Sequence, residues 1–140
     1  MKTWIALLLA ILLPVAALAN EAEKPEGEEG EAAAPKVLYI GLVPALVGNF
    51  GSGPKLKFYK ADIALRVTGS EAEDRVKHHE PLIRNQLVML FSQQTDATMG
   101  AADAKELLRK EALKQVQDVL NQEEGKPLVE DLLFNNLIIQ

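Results

Sequence analysis

Residues 55–68 read KLKFYKADIALRVT and show the clearest alternation of apolar and polar side chains in the chain. The apolar residues that share one parity are Tyr59, Ala61, Ile63, Leu65 and Val67. The polar residues of the opposite parity are Lys60, Asp62, Arg66 and Thr68. A period of two is typical of a strand with one face on a core and the other toward water. We therefore predict a strand in a sheet that helices cover on one face.

The alternation changes phase at the start of this stretch. Leu56 and Phe58 are apolar and the lysines beside them are polar, so the apolar parity switches between Phe58 and Tyr59. One extra residue in a strand produces such a switch. We predict a β-bulge at this point.

Upstream, residues 36–50 (KVLYIGLVPALVGNF) are almost continuously apolar. Their glycine, proline and β-branched content favours extended structure over a helix. Pro44 has no N–H to donate to a ladder, so we expect an edge or a bulge there. Residues 51–54 (GSGP) form a turn, which predicts that residues 36–50 and 55–68 pair antiparallel.

Residues 71–94 and 101–124 carry apolar side chains at three- and four-residue spacing, which predicts two helices. Pro81 either kinks the first helix or starts a second one there. Ser70 and Glu73 match a capping box at its start. Gly125 and Pro127 should end the second helix.

Residues 128–140 (LVEDLLFNNLIIQ) are short, branched and aromatic, and are typical of a last strand. The predicted order is therefore β-β-α-α-β. This is an α+β fold in which two helices pack on an antiparallel sheet.

The first 19 residues have the order of a secretory signal peptide, with Lys2, an apolar run at 4–13, Pro14 and Ala-Leu-Ala at 17–19. We predict cleavage after Ala19. The alternative is an uncleaved membrane anchor, because an uncharged segment of this length is close to the minimum that spans about 30 Å of hydrocarbon. Both alternatives predict that the remainder is exported.

Residues 20–35 (NEAEKPEGEEGEAAAP) hold six Glu and one Lys, a net charge of −5. Such a segment has too little apolar surface to offset its ordering entropy, so we predict a disordered acidic linker. It is either a spacer or a lure for a basic partner. Residues 36–140 carry 13 basic and 14 acidic residues, a net charge of −1, and are long enough for one independent core.

The composition excludes several kinds of site. The absence of Cys excludes disulfides and thiolate metal sites, and a pI near 5.1 argues against nucleic-acid binding. His78 and His79 are adjacent, and helical neighbours point about 100° apart, so they do not share a metal readily. No nucleophile elbow or carboxylate pair stands out by spacing. We expect no catalytic, cofactor or metal site, and a protein that is not an enzyme.

The apolar run at residues 37–47 exceeds what one buried strand face needs, and residues 137–140 (LIIQ) are also mostly apolar. Either they are edges available for pairing with another copy, or they are buried within the monomer. The candidate interaction residues are Val37, Tyr39, Leu42, Val47, Leu137, Ile138 and Ile139.

The segments from Tyr39 to residue 140 resemble the periplasmic domain of the flagellar basal-body-associated FliL family. The resemblance is carried by an apolar strand closing on Asn49, a lysine-bearing strand at 58–67 and Pro81-x-x-Arg84 on a helix. It continues with LLRKEAL at 107–113, VEDLLF at 129–134 and the terminal LIIQ. The terminal V-x-D-x-L-F…Q pattern is the most specific part. The family usually has a branched residue before this asparagine, where this chain has Gly48.

The resemblance implies a non-enzymatic accessory protein of the flagellar motor, with its domain in the periplasm beside the inner membrane. It implies association with stator units, support of swimming or swarming, and a stomatin-related fold that assembles into homo-oligomeric rings. Family members usually have a single-pass anchor after a cytoplasmic tail, whereas the apolar segment here starts at residue 4, which favours a soluble periplasmic paralogue. Two alternatives are a periplasmic self-assembling scaffold unrelated to motility and a small hydrolase with scattered carboxylates.

Overall fold

A computed structural model describes residues 34–140 of the chain. The predicted signal peptide or anchor (1–19) and residues 20–33 of the predicted linker lie outside the described residues. Within residues 34–140, no helix is both long enough and apolar enough to cross a membrane.

The described part of the chain contains four strands and four helices. In chain order they are β1 (Val37–Gly41), β2 (Leu46–Phe50), β3 (Lys57–Thr68), α1 (Ser70–His78), α2 (Glu80–Ser92), α3 (Asp96–Gly100), α4 (Ala104–Glu124) and β4 (Val129–Ile139). The fold is α+β with an antiparallel sheet, as predicted. The observed order is β-β-β-α-α-α-α-β, which corrects the predicted β-β-α-α-β.

The long strand β3 forms the centre of the sheet. Along one of its edges β1 pairs with residues 64–68 and β2 pairs with residues 57–61. Along the other edge β4 pairs with β3 from Tyr59 to Val67. All three pairings are antiparallel. Because β1 and β2 pair with different parts of β3 on the edge opposite β4, they follow one another along that edge.

The predicted strand at 36–50 is divided into β1 and β2 around Pro44. Proline cannot donate a ladder hydrogen bond, so pairing stops before it and resumes at Leu46. The N–H of Leu42 still donates to the carbonyl of Ile63 at 2.9 Å. Pro44 therefore lies at the edge of the sheet, as expected. It belongs to the connection between β1 and β2 and not to a continuous strand.

The predicted bulge between Phe58 and Tyr59 is wrong. Both residues pair regularly with β2, and Phe58 lies on the exposed face of the sheet. The apparent change of parity arises because Phe58 is an apolar residue facing solvent, not because a residue is inserted. The irregularities of the sheet lie in β4 instead, where Glu130 and Asn135 are the extra residues opposite β3.

The predicted first helix is two helices, and Pro81 lies in the first turn of the second, where its missing N–H costs little. The predicted capping box is absent, since Gly69 caps α1 and no side chain bonds there. Residues 95–100, between the two predicted helices, contain the short helix α3, which Thr95 caps. Helix α4 begins three residues later than predicted and ends at Gly125, whose φ of 70° favours glycine.

The core lies between the sheet and the helices. The inward side chains of β3 are almost fully buried and belong to one cluster with buried side chains of α1, α2 and α4, including Val76, Leu87 and Val116. The helix layer therefore contains three helices rather than the predicted two, with α3 as a short connection.

Candidate interaction surface

The face of the sheet opposite the helices is open and carries exposed apolar side chains. Cross-strand partners share a face. Val47 and Ile138 both pair with Lys60, Tyr39 pairs with Arg66, and Val37 pairs with Thr68. We call Val37, Tyr39, Val47 and Ile138 the outer face. Tyr39 and Val47 are 59% and 64% exposed, respectively.

These four residues belong to the candidates from the sequence, and the other three lie elsewhere. Leu42 is 3% exposed, so its side chain is in the core and is not available to a partner. Leu137 is partly buried against the core. Ile139 is opposite Tyr59 on the inner side of the sheet, where it borders a small cavity beside Leu108. The structure therefore brings together four of the seven.

Phe58, which the predicted bulge would turn toward the core, lies on the exposed face of the sheet. It is 52% exposed and lies opposite Asn49 of β2. The available signal was Lys60, because residues two apart on a strand share a face.

Side chains of α4 lie along the first half of β4. Gln117 Nε2 donates to the Val129 carbonyl at 2.8 Å, and Arg109 Nη1 donates to the Leu132 carbonyl at 3.3 Å. These carbonyls are therefore occupied. Among the hydrogen bonds of the described residues, no side chain donates in this way to the carbonyls of residues 133–139.

Two of the motifs that carry the family resemblance meet in space. Arg109, from the segment at the start of α4, is paired with Asp131, from the last-strand motif, at 2.5 Å. Arg109 also donates to both carboxylate oxygens of Glu106 at 2.8 Å, and these bonds lower the pKa of Glu106 to about 2. Arg109 and Asp131 therefore hold α4 against β4.

The arginine of the Pro81-x-x-Arg84 motif has a similar role. Arg84 Nη2 donates to the carbonyl of Pro44 at 2.7 Å, and Nη1 lies 3.6 Å from a carboxylate oxygen of Glu80. The side chain thereby holds the β1–β2 connection against α2. This motif positions an edge of the sheet.

His79 is bonded to the end of α4. Its Nε2 lies 2.6 Å from Oε1 of Glu124, and Arg75 Nη1 lies 3.7 Å from the other oxygen. The hydrogen bond from His79 and the charge of Arg75 lower the pKa of Glu124. His78 contacts His79 edge-on with ring centroids 4.9 Å apart. Across residues 34–140, no three His, Cys, Asp or Glu side chains cluster as metal ligands would.

A depression of about 1050 Å³ lies beside residues 34–36, α1 and the end of α4. Its charged lining is mixed, with Lys36, Arg75 and Lys126 facing three glutamates. One of these is Glu124, which is already paired, and Glu73 is paired with Lys77. Of the three glutamates, only Glu71 has no ion pair among the described residues, so the lining offers one free carboxylate rather than a pair.

Two comparisons with known proteins bear on this chain. Residues 39–140 match the family model described as flagellar basal body-associated protein FliL. The chain is also 28% identical over 99 residues to the flagellar protein FliL of Aquifex aeolicus (strain VF5). That alignment covers 71% of this chain, and the chain spans 59% of the length of the Aquifex protein.

Proposed function

The chain belongs to the FliL family of flagellar basal body-associated proteins, and from this we propose that it is a non-enzymatic accessory protein of the flagellar motor that acts through its outer face. FliL is not known as a family of enzymes. The finer role proposed for this chain is support of the stator units by protein–protein contacts in the periplasm.

The observation that carries this proposal is the outer face. Every helix that contributes to the core packs on the other side of β3. Four large apolar side chains are therefore left in solvent beside Lys60 and Arg66, although an antiparallel sheet usually turns polar residues toward water. Exposed apolar patches of this kind mark protein interaction sites.

The charged residues of the domain support a binding role over a catalytic one. Arg84, Arg109 and His79 each hold one element against another. No charged residue of the described domain is fully buried, and the fully buried hydroxyl of Tyr59 lies in the core, where its ring stacks on Phe91. This arrangement suits a rigid platform for partners.

We propose that residues 1–19 direct the chain to the periplasm, with a single-pass inner-membrane anchor as the alternative. Self-association into a homo-oligomer of stomatin-related domains is part of the same proposal. Intact-mass measurement of the exported protein tests the first point. A chain starting at Asn20 supports cleavage, and a chain that retains Trp4 supports the anchor.

The test of function is complementation in a deletion strain. We expect deletion to impair swimming or swarming, and a tagged wild-type copy to localise to flagellar bases and restore motility. The double variant Tyr39→Ser, Val47→Ser should keep its fold and lose both localisation and complementation, because it removes apolar surface only from the outer face.

The matched control is Leu82→Ser, Leu107→Ser, which changes two exposed apolar residues on α2 and α4. This variant should complement fully. Normal motility of the deletion strain, together with no localisation at the motor, would contradict the motor role. Full complementation by the Tyr39 and Val47 variant would contradict the use of the outer face.

A further inference from the structure

One end of β3 carries two exposed apolar side chains among three lysines. Residues 51–56, which connect β2 to β3, are all exposed. Leu56 is 67% exposed and Phe58 is 52% exposed. Lys55, Leu56, Lys57, Phe58 and Lys60 are called the lysine tip below. Leu56 lies in this exposed connection, and Phe58 lies at the start of β3, where it borders a depression with Val47 and Ile138.

The lysine tip is locally cationic in a domain that is nearly neutral. Lys57 Nζ is 3.0 Å from Asp96 Oδ1. Lys55 and Lys60, by contrast, have no carboxylate within 4.0 Å among the described residues, whereas every arginine of the described domain has one. Two ammonium groups are therefore free beside Leu56 and Phe58.

From this arrangement we infer that the lysine tip binds the surface of an anionic phospholipid bilayer. Apolar side chains of this size enter the boundary between headgroups and acyl chains. Lysine stems lie along the same apolar boundary and place their ammonium groups at the lipid phosphates. A protein partner needs a pocket shaped to a protruding Leu56 and Phe58, whereas a bilayer accommodates both without one.

Half of the outer face lies away from the lysine tip, whereas Val47 and Ile138 lie opposite Lys60 of the tip. Val37 and Tyr39 pair with Thr68 and Arg66, at the other end of β3 from Phe58. A bilayer at the tip therefore leaves these residues open to a protein. The inference is independent of the proposed motor role, because vesicle binding does not require any flagellar protein.

The experiment uses the full chain, which has no Cys, so that a single cysteine reports on one position. Leu56→Cys carries an environment-sensitive fluorophore and is mixed with phosphatidylcholine vesicles with and without phosphatidylglycerol. We expect a blue shift of emission only with phosphatidylglycerol, and a smaller shift at raised salt. Leu107→Cys, at an exposed position on α4, is the matched control and should show no shift.

Adding Lys55→Glu and Lys60→Glu to the labelled Leu56→Cys variant should weaken binding at least about tenfold, since each lysine near an anionic surface contributes measurably. Thermal unfolding of each variant checks that the fold is kept. No shift at position 56 would overturn the inference. So would equal shifts at positions 56 and 107, or a shift that survives the charge reversals, since residues 1–19 alone would then explain membrane binding.

Discussion

Arg109 Nη1 lies 2.5 Å from Asp131 Oδ1, which joins α4 to the start of β4. The two side chains are 25% and 29% exposed, so the pair is partly shielded from water. Asp131 Oδ1 also accepts a hydrogen bond from the backbone N–H of Leu132 at 2.9 Å. One carboxylate oxygen therefore binds both α4 and the backbone of β4.

Asp131→Ala removes both of these bonds. We expect the free energy of unfolding to fall by about 1–2 kcal/mol, because a charged, partly shielded hydrogen-bond partner is lost. Urea unfolding measures it. The control is Asp118→Ala, whose exposed pair with Lys114 should be worth no more than about 0.5 kcal/mol. Equal losses in the two variants would contradict a special role for Asp131.

Gly48→Ala should destabilise the domain. A Cβ on Gly48 would lie 2.7 Å from the hydroxyl oxygen of Tyr59 and 2.9 Å from two of its ring carbons. The ring of Tyr59 is 1% exposed and stacked on Phe91, so it has little room to move. We expect a loss of about 1–3 kcal/mol in thermal or urea unfolding, as for overpacking.

The control for this prediction is Gly53→Ala, where no atom lies within 4 Å of the added carbon and little change is expected. Similar losses at both glycines would refute the steric explanation.

Tyr59→Phe should leave stability unchanged or raise it. The hydroxyl is buried and has no hydrogen-bond partner among the described residues, and burial raises the pKa of Tyr59. Removing an unsatisfied polar atom relieves its desolvation cost of about 1–3 kcal/mol, while the ring keeps its stacking. The readout is the urea midpoint at constant slope. A clear loss of stability would show that the hydroxyl has a partner.

Glu106 predicts a specific pH dependence. Its pKa in the folded protein is about 2, below the ordinary 4.5, chiefly because of the hydrogen bonds from Arg109. A carboxyl group whose pKa is lowered in the folded state contributes its full stabilisation above its unfolded pKa. This stabilisation is lost as the pH falls from about 4.5 to about 2. Glu106→Gln should therefore be less stable than the wild type near neutral pH.

The difference between Glu106→Gln and the wild type should shrink in acid, as measured by urea unfolding across this range. The control is Glu123→Gln, an exposed residue of α4 without an ion pair among the described residues. A gap that stays constant down to about pH 2 would rule out this titration as the cause.

Arg84→Gln should loosen the β1–β2 connection. The shorter side chain loses the hydrogen bond to the Pro44 carbonyl. We expect faster amide hydrogen exchange in residues 41–48 and little change in β3, because local opening costs less than global unfolding. Arg75→Gln, whose pair with Glu124 lies away from this connection, is the control. Uniform acceleration across the domain would contradict a local role.

The regular elements were predictable because their signals are local. The alternation in β3 and the helical spacing in α4 follow from the geometry of one strand or one helix. Gly125 ended α4 where expected because glycine accepts a positive φ more readily than other residues. The division of residues 36–50 was missed because Pro44 marks a weak point in a strand without telling whether pairing resumes beyond it.

The candidate surface was only partly predictable. Val37, Tyr39, Val47 and Ile138 share a face because their parity places them together once the register with β3 is known. The exposure of Leu42 and Phe58 is the opposite of the expectation. Leu42 turns into the core after β1 ends, and Phe58 stays in solvent on a regular strand. Both outcomes depend on which elements pack nearby.

Local sequence patterns are enough to predict the α+β class, the antiparallel pairing, the end of α4 at Gly125 and the family. Each depends on periodicity or on residue types at fixed spacing. The exposure of particular apolar residues, and the contacts by which Arg84, Arg109 and His79 hold elements together, follow from the folded arrangement alone. Burial and side-chain pairing depend on contacts between residues far apart in the chain, and spacing along the sequence does not specify these contacts.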